Sequence, residues 1–225
     1  MRNYLKLIRV EQYIKNAFVF APLFFDSQFL NLDNLINVIL AFLCFCTISS
    51  SVYIFNDYFD INEDKNHPQK RYRPLASGSI SIQNGLVLML ILMISSLTVS
   101  YLISVELFLV IISYLALNFL YSKWLKHIAI LDVNIIAVGF ILRIVAGSVV
   151  SDVVPSIWIL LITYLLALFL GISKRRTDVI LAENGNDVRK NIEGYNLIFI
   201  DVILGILASI IIVSYIFYCI SPEVQ

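Results

Sequence analysis

Residues 35–64 read LINVILAFLCFCTISSSVYIFNDYFDINED. The first 22 positions carry no charge, and then four carboxylates (Asp57, Asp60, Glu63, Asp64) arrive within eight residues. A hydrocarbon core needs about 20 apolar residues at 1.5 Å rise each. The stretch therefore predicts a transmembrane helix over 35–57 that runs out of the membrane into an acidic cluster. At about 100° per residue, Asp57, Asp60 and Asp64 fall within roughly a 60° arc of one helix face.

The rest of the chain repeats the theme. Of 225 residues 60% are hydrophobic, and the mean hydropathy is +0.87, more apolar surface than a soluble fold of this length hides. Further spans are expected at 14–30, 84–104, 107–121, 128–150, 155–173 and 197–220. The result is an all-α, polytopic transmembrane helical bundle of about seven spans, with Glu106 in a tight turn between the third and fourth. Cys44, Cys46 and Cys219 sit in apolar runs without metal-ligand spacing and are read as small hydrophobes. The charged start at Met1–Val10 does not read as a removable signal peptide.

Charge orients the bundle. Net charge is zero, but 15 of the 16 Lys and Arg residues lie in the N-terminal segment or in the connections after the second, fourth and sixth spans. All four segments belong on one side, which the positive-inside rule makes cytoplasmic, N-terminus included. The exception, Arg143, is inside the fifth span. There Asp132, Gly139, Arg143, Ala146 and Gly147 share an arc of about 100°, the pattern of a cavity wall or a tight helix contact. Arg143 lies about 16 Å along the axis from Asp132, too far for a direct bond. An intramembrane arginine reads either as a substrate contact or as the partner of a helix-end carbonyl or another acid.

Three carboxylates at a membrane helix mouth are costly unless a cation sits between them. Mg²⁺ is the natural candidate, with a solvated helix end as the plainer alternative. The next turn, His67-Pro-Gln-Lys70-Arg71-Tyr-Arg73-Pro74, supplies cations suited to phosphate oxygens. His67 is expected to cap or pack this loop. The acidic run Asn56-Asp-x-x-Asp-x-x-x-Asp64 resembles the first signature of the UbiA-type intramembrane prenyltransferase superfamily. The continuation His67-Pro-x-Lys70-Arg-x-Arg73-Pro-x-Ala76-x-Gly78 most resembles its decaprenyl-phosphate phosphoribosyltransferase branch. The likeness extends from Tyr13-Ile-Lys15-Asn16 through Tyr121-Ser122 and Ser173-Lys174-Arg175 to Ser221-Pro222.

That resemblance implies one UbiA-type domain over 1–225, shortened at its C-terminus, since the superfamily fold has nine helices. It implies Mg²⁺ on Asp57, Asp60 and Asp64. Its substrates would be phosphoribosyl diphosphate and a polyprenyl (decaprenyl-type) phosphate, met at the membrane, with no nucleic acid. Asp57 and Asp60 would serve catalysis, and Asp132 with Tyr121 would orient the ribose. Lys15, Asn56, Lys70, Arg73, Lys126, Arg143, Lys174 and Arg175 would contact substrate. Most of the superfamily carries a second acidic motif where this chain has Lys174-Arg175-Arg176, which favours a donor with an extra phosphate. Lys15 reads equally as a snorkelling interface residue, and the Lys174–Arg176 cluster equally as an orientation signal. Arg189 and Lys190 are read as head-group charges, and Asp201 as the partner of a cytoplasmic base. The alternatives are a prenyltransferase with an aromatic or quinone-precursor acceptor and, from another class, a transporter or non-catalytic scaffold.

Overall fold

The computed structural model describes residues 2–25, 31–183 and 195–221. Arg189 and Lys190 lie outside them. Among the described residues the α-helices are, in order, α1 (Arg2–Ile8), α2 (Ala21–Phe25), α3 (Leu32–Phe59), α4 (Ile61–Asn66), α5 (Ile82–Ile103), α6 (Val105–Lys123), α7 (Leu131–Ser151), α8 (Ile157–Glu183) and α9 (Leu197–Ile220). Among the described residues, α3 and α5 through α9 are long and apolar enough to cross a membrane. Their outward faces carry exposed Leu90, Ile91, Ile94, Leu102, Ile212 and Ile216. Such a surface belongs in lipid, and the protein is an integral membrane protein.

Side-chain caps set the helix starts. Asn31 accepts from the backbone N–H groups of Asp33 and Asn34 at the head of α3. Ser81 does the same for α5 through Asn84 N–H, and Asn196 for α9 through Phe199 N–H. A single extended residue, Ser104, joins α5 to α6, and its hydroxyl caps Leu107 N–H at 3.0 Å. This is the tight turn expected at Glu106.

Two expected spans take another form. The first is not one α-helix: residues Val10–Phe20 form a 3₁₀ helix that leads into the five-residue α2. A 3₁₀ helix rises about 2 Å per residue and stacks every third side chain. Asn16, Val19 and Pro22, at intervals of three, form its buried stripe. The sixth span, expected to stop at 173, continues as α8 to Glu183. The i,i+3 pair Arg175–Asp178 and buried Ile172 and Val179 keep its last turns helical.

The residues fall into two compact units. The first comprises the chain up to Lys123 together with Leu142–Val154, and the second comprises Trp124–Ile141 and the chain from Pro155 onward. Helix α7 thus contributes its first half to the second unit and its second half to the first. In the first unit α3 is the central helix. Its small residues let neighbours approach: Ser51 Oγ donates to the Met89 carbonyl at 3.1 Å, and Ser96 Oγ returns a bond to Cys44 O at 2.8 Å. The closest approach is at Gly147, where an added Cβ would lie 1.8 Å from the Val19 carbonyl oxygen. This is the tight contact that the small-residue face of α7 suggested. In the second unit α8 and α9 pack through Leu165, Ile172, Val179, Ile200 and Leu207.

Candidate active site

The acidic cluster forms where α3 gives way to α4. Asp60 caps α3 with a backbone outside helical values (φ −90°, ψ 3°). The hydrogen-bond ladder nonetheless passes through it: Asp60 N–H reaches Asn56 O at 3.0 Å, and Asp64 N–H reaches Asp60 O at 2.8 Å. The register between Asp57 and Asp64 survives, and both carboxylates are buried, 2% and 1% exposed. Asp60 is half-exposed, and its carboxylate accepts instead from Asn56 Nδ2 at 3.1 Å. The expected trio is therefore a buried pair with a third acid one turn away.

Guanidinium groups hold that pair. Arg73 Nη1 donates to Asp57 Oδ1 at 3.1 Å and to Asp64 Oδ2 at 2.8 Å. Arg9 Nη2 donates to the same Asp57 oxygen, and its guanidinium carbon lies 4.9 Å from the Tyr53 ring centroid. Two buried carboxylates are tolerable only with such partners. Arg73 is aimed by its loop. His67 Nδ1 accepts from Gln69 and Lys70 N–H, the capping role expected of it. One 3₁₀ turn, Lys70–Tyr72, follows. Ile80 N–H then closes onto Pro74 O, and Leu75 and Ile80 anchor the loop in the core beside Leu7, Ile54 and Met89. Arg9 escaped the sequence reading. Arg9 is one of three bases in the first ten residues, which satisfies the positive-inside rule, and nothing local announces its left-handed backbone (φ 53°).

Deeper in the first unit, Arg143 is 5% exposed. Its Nε donates to Asn16 Oδ1 at 2.8 Å and its Nη2 to the Tyr114 hydroxyl at 3.1 Å. Its guanidinium carbon lies 4.9 Å and 5.5 Å from the Tyr114 and Phe45 ring centroids. Asn16 also reaches Ser49 and Cys46. Arg143 thus ties the 3₁₀ segment to α7 and α6. Nearby in sequence, Lys15 is exposed, while Lys70 and Tyr121 are half-buried.

The second unit has its own buried cluster. Arg175 Nε donates to Asp132 Oδ2 at 2.7 Å, with side chains 2% and 0% exposed. The Tyr195 hydroxyl donates to Asp132 Oδ1 at 2.9 Å and accepts Ile130 N–H at 2.7 Å. Burial, reinforced by the bond to the Asp132 carboxylate, pushes the Tyr195 phenol up to about 12. Arg175 Nη1 also meets Asp178 at 3.0 Å. Both Asp132 and Arg175, read from sequence as substrate contacts, thus spend their charges on each other. Asp201 pairs with Arg176 at 2.6 Å, the pairing with a base that was expected of it. Lys174 is exposed and Lys126 half-buried.

As a metal site the first cluster offers hard carboxylate oxygens only. Among the described residues no three His, Cys, Asp or Glu side chains are gathered for an ion. Asp57 and Asp64, however, already share one cationic nitrogen of Arg73, and Mg²⁺ asks for only one or two carboxylates beside water and phosphate. The donor set fits that ion.

The fold and the first cluster are those of a helical membrane bundle with buried carboxylates and guanidinium groups at the end of a span. The chain belongs to the UbiA prenyltransferase family, whose sequence profile matches residues 27–221. It is 34% identical over 216 residues to a decaprenyl-phosphate phosphoribosyltransferase of Mycolicibacterium smegmatis, a match covering 94% of this chain and 68% of the relative. With the protein of that name from Mycobacterium tuberculosis it shares 31% over 93% of this chain and 71% of the relative. Among solved structures, a UbiA homolog from Archaeoglobus fulgidus bound to GPP and Mg²⁺ superposes with a TM-score of 0.78. It is 19% identical, covering 97% of this chain and 79% of the other, and that likeness is one of fold. The protein is therefore a UbiA-family transferase, which sets aside the transporter and scaffold reading.

Proposed function

We propose that this chain transfers 5-phosphoribose from phosphoribosyl diphosphate to a polyprenyl phosphate, using Mg²⁺ held by Asp57, Asp60 and Asp64 at the cytoplasmic membrane face. The observation that carries the proposal is the Asp57–Arg73–Asp64 bridge. It sets two buried carboxylates beside a guanidinium group, which supports a cation on the acids and phosphate oxygens on the bases. The similarity to the named phosphoribosyltransferases supports this donor and acceptor, and the clustering of Lys and Arg in four segments supports the cytoplasmic orientation.

When bound, Mg²⁺ would supply neutralising charge on the departing diphosphate. Arg73 and Lys70 would bind diphosphate oxygens, and Asn56 would keep the Asp60 carboxylate oriented. The bond between ribose C1 and the diphosphate oxygen breaks with its electron pair leaving on the diphosphate. A lipid phosphate oxygen then forms the new bond to C1. That nucleophile is already an anion, so no strong base is needed, and positioning and charge stabilisation carry the step. In the second unit we propose Asp132 as the residue that fixes Arg175, rather than one that touches the sugar. Lys174, which is exposed, would contact a substrate anion. Arg143 and Asn16 would position the N-terminal segment.

The test offers the purified protein phosphoribosyl diphosphate, Mg²⁺ and decaprenyl phosphate, and searches by mass spectrometry for the phosphoribosylated lipid. Its formation, abolished by excess chelator, is expected. Product from geranyl diphosphate and an aromatic acceptor, with none from phosphoribosyl diphosphate, would establish the prenyltransferase reading instead.

A further inference from the structure

Arg9 is built into the acidic cluster by three separate contacts along one face of α3. Ser50, Tyr53 and Asp57, spaced three and four residues apart, line up on that face. The Ser50 hydroxyl donates to the carbonyl of Ile8 at 2.8 Å and also meets the Tyr13 hydroxyl at 2.9 Å. Backbone on both sides of Arg9 is thus tethered to α3. The Arg9 guanidinium then lies over the Tyr53 ring, with its Nη2 on Asp57 Oδ1. A left-handed φ of 53°, uncommon for a residue other than glycine, makes this path possible. The Arg9 side chain remains 22% exposed, while Asp57 is 2% exposed. The arginine therefore forms the solvent side of the pair.

Charge counting gives the arrangement a consequence. Asp57 and Asp64 with Arg9 and Arg73 sum to zero. A divalent cation arriving alone must displace a guanidinium that already satisfies Asp57. A diphosphate arriving alone faces two carboxylates. When both arrive, the carboxylates can serve the cation and the guanidinium groups can serve the phosphate oxygens, so every charge keeps a partner. We propose that Arg9 is a resident counter-ion that holds Asp57 in the ligand-free protein and yields it to a divalent cation only when a diphosphate accepts the guanidinium. The inference rests on the metal–diphosphate reading of this site and adds a coupling to it: cation and diphosphate each tighten the other by one shared factor.

Mn²⁺ binding to the purified full chain, followed by electron paramagnetic resonance with and without inorganic diphosphate, tests it. In wild type, Mn²⁺ alone should bind weakly, and diphosphate should tighten it by at least about tenfold, the factor that 1.4 kcal/mol represents. In Arg9→Gln, Mn²⁺ alone should bind about tenfold tighter than in wild type, diphosphate alone more weakly, and the coupling should shrink by a similar factor. These opposite signs are not what a general structural defect produces. Arg9→Lys keeps the cation without the planar fork, so its Mn²⁺ affinity should fall between the two. It serves as the deciding variant should Arg9→Gln not fold. Unchanged or weaker Mn²⁺ binding in the variants, or undiminished coupling, overturns the role of Arg9 while leaving the site reading intact. Failure of wild type to bind Mn²⁺ even with diphosphate overturns the site reading and this inference together.

Discussion

A mutant cycle at the buried Asp132–Arg175 pair can decide whether Asp132 serves structure or catalysis. In Asp132→Asn the buried Arg175 guanidinium, 2% exposed, loses the carboxylate it meets at 2.7 Å. Removing one partner of a buried pair costs about 3–5 kcal/mol, because the other charge stays behind. Asp178 still reaches Arg175 at 3.0 Å, and an asparagine oxygen can still accept from Tyr195, so the lower end, about 3 kcal/mol, is expected. At about 2–4 °C per kcal/mol for a chain of this size, the unfolding midpoint in detergent should drop by roughly 6–12 °C. Arg175→Met should cost as much, since it strands Asp132 at 0% exposure. The double replacement Asp132→Leu with Arg175→Met removes both charges and leaves Asp178, whose side chain is 18% exposed, able to reach water. Apolar replacement of a whole buried pair is often neutral or stabilising, so the double variant should recover most of the loss. Thermal unfolding of wild type, Asp132→Leu, Arg175→Met and their double, followed by circular dichroism, gives the coupling energy. Singles within about 2 °C of wild type, or a double no better than either single, would refute the buried-pair argument. A stable double variant that still transfers ribose assigns Asp132 to structure, whereas a stable but inactive one returns it to catalysis.

Asp57→Asn should lower transfer at least about a hundredfold, roughly 2.7 kcal/mol, because it removes the negative charge on which Arg9 and Arg73 converge; full activity would disprove the site. Gly147→Ala should destabilise by about 3 kcal/mol or more, since its Cβ would stand 1.8 Å from Val19 O; an unfolding midpoint equal to wild type would contradict that packing. Tyr195, protonated in the fold up to about pH 12 against an ordinary 10.0, contributes stability that is fully present below pH 10 and lost as pH rises towards 12. A Tyr195→Phe variant should therefore show a flatter fall in stability over that window. In a background lacking exposed Cys219, Asn66→Cys should be labelled from the cytoplasm and Asn31→Cys from outside; the reverse pattern would invert the orientation.

Length and hydropathy made most of the bundle legible, because a membrane leaves the backbone few choices. The last span was placed at 197–220, which is where α9 lies. The turn at Glu106 and the pairing of Asp201 were likewise readable from a charge with nowhere else to go. Legibility failed where a local pattern had two physical solutions. The 14–30 segment is apolar enough to span, but Lys15, Asn16 and Pro22 interrupt it, and the chain follows a 3₁₀ path as far as Phe20, while 26–30 lie outside the described residues. The Lys174–Arg176 run reads as a loop by charge, yet Asp178 and Val179 continue the helix through it. Long-range pairing was out of reach altogether: Arg175 is 43 residues from Asp132, and Arg9 is 48 from Asp57.

These two pairings separate residues that the sequence placed in one class. Every base near the charged ends of the spans can orient the chain, and composition alone cannot say which also do chemistry. Burial and the solvent access of the pair divide them. Arg175 and Asp132 are both closed off at 2% and 0%, so releasing either charge would strand the other in a medium that solvates it poorly. That pair is suited to holding helix α8 against the head of α7 and unsuited to exchanging partners. Arg9 and Arg73, 22% and 28% exposed, cover carboxylates that are 2% exposed. Their guanidinium groups can turn to an incoming anion while a cation takes over the acids behind them. On physical grounds, then, the first cluster can change partners during a reaction, and the second can only keep them.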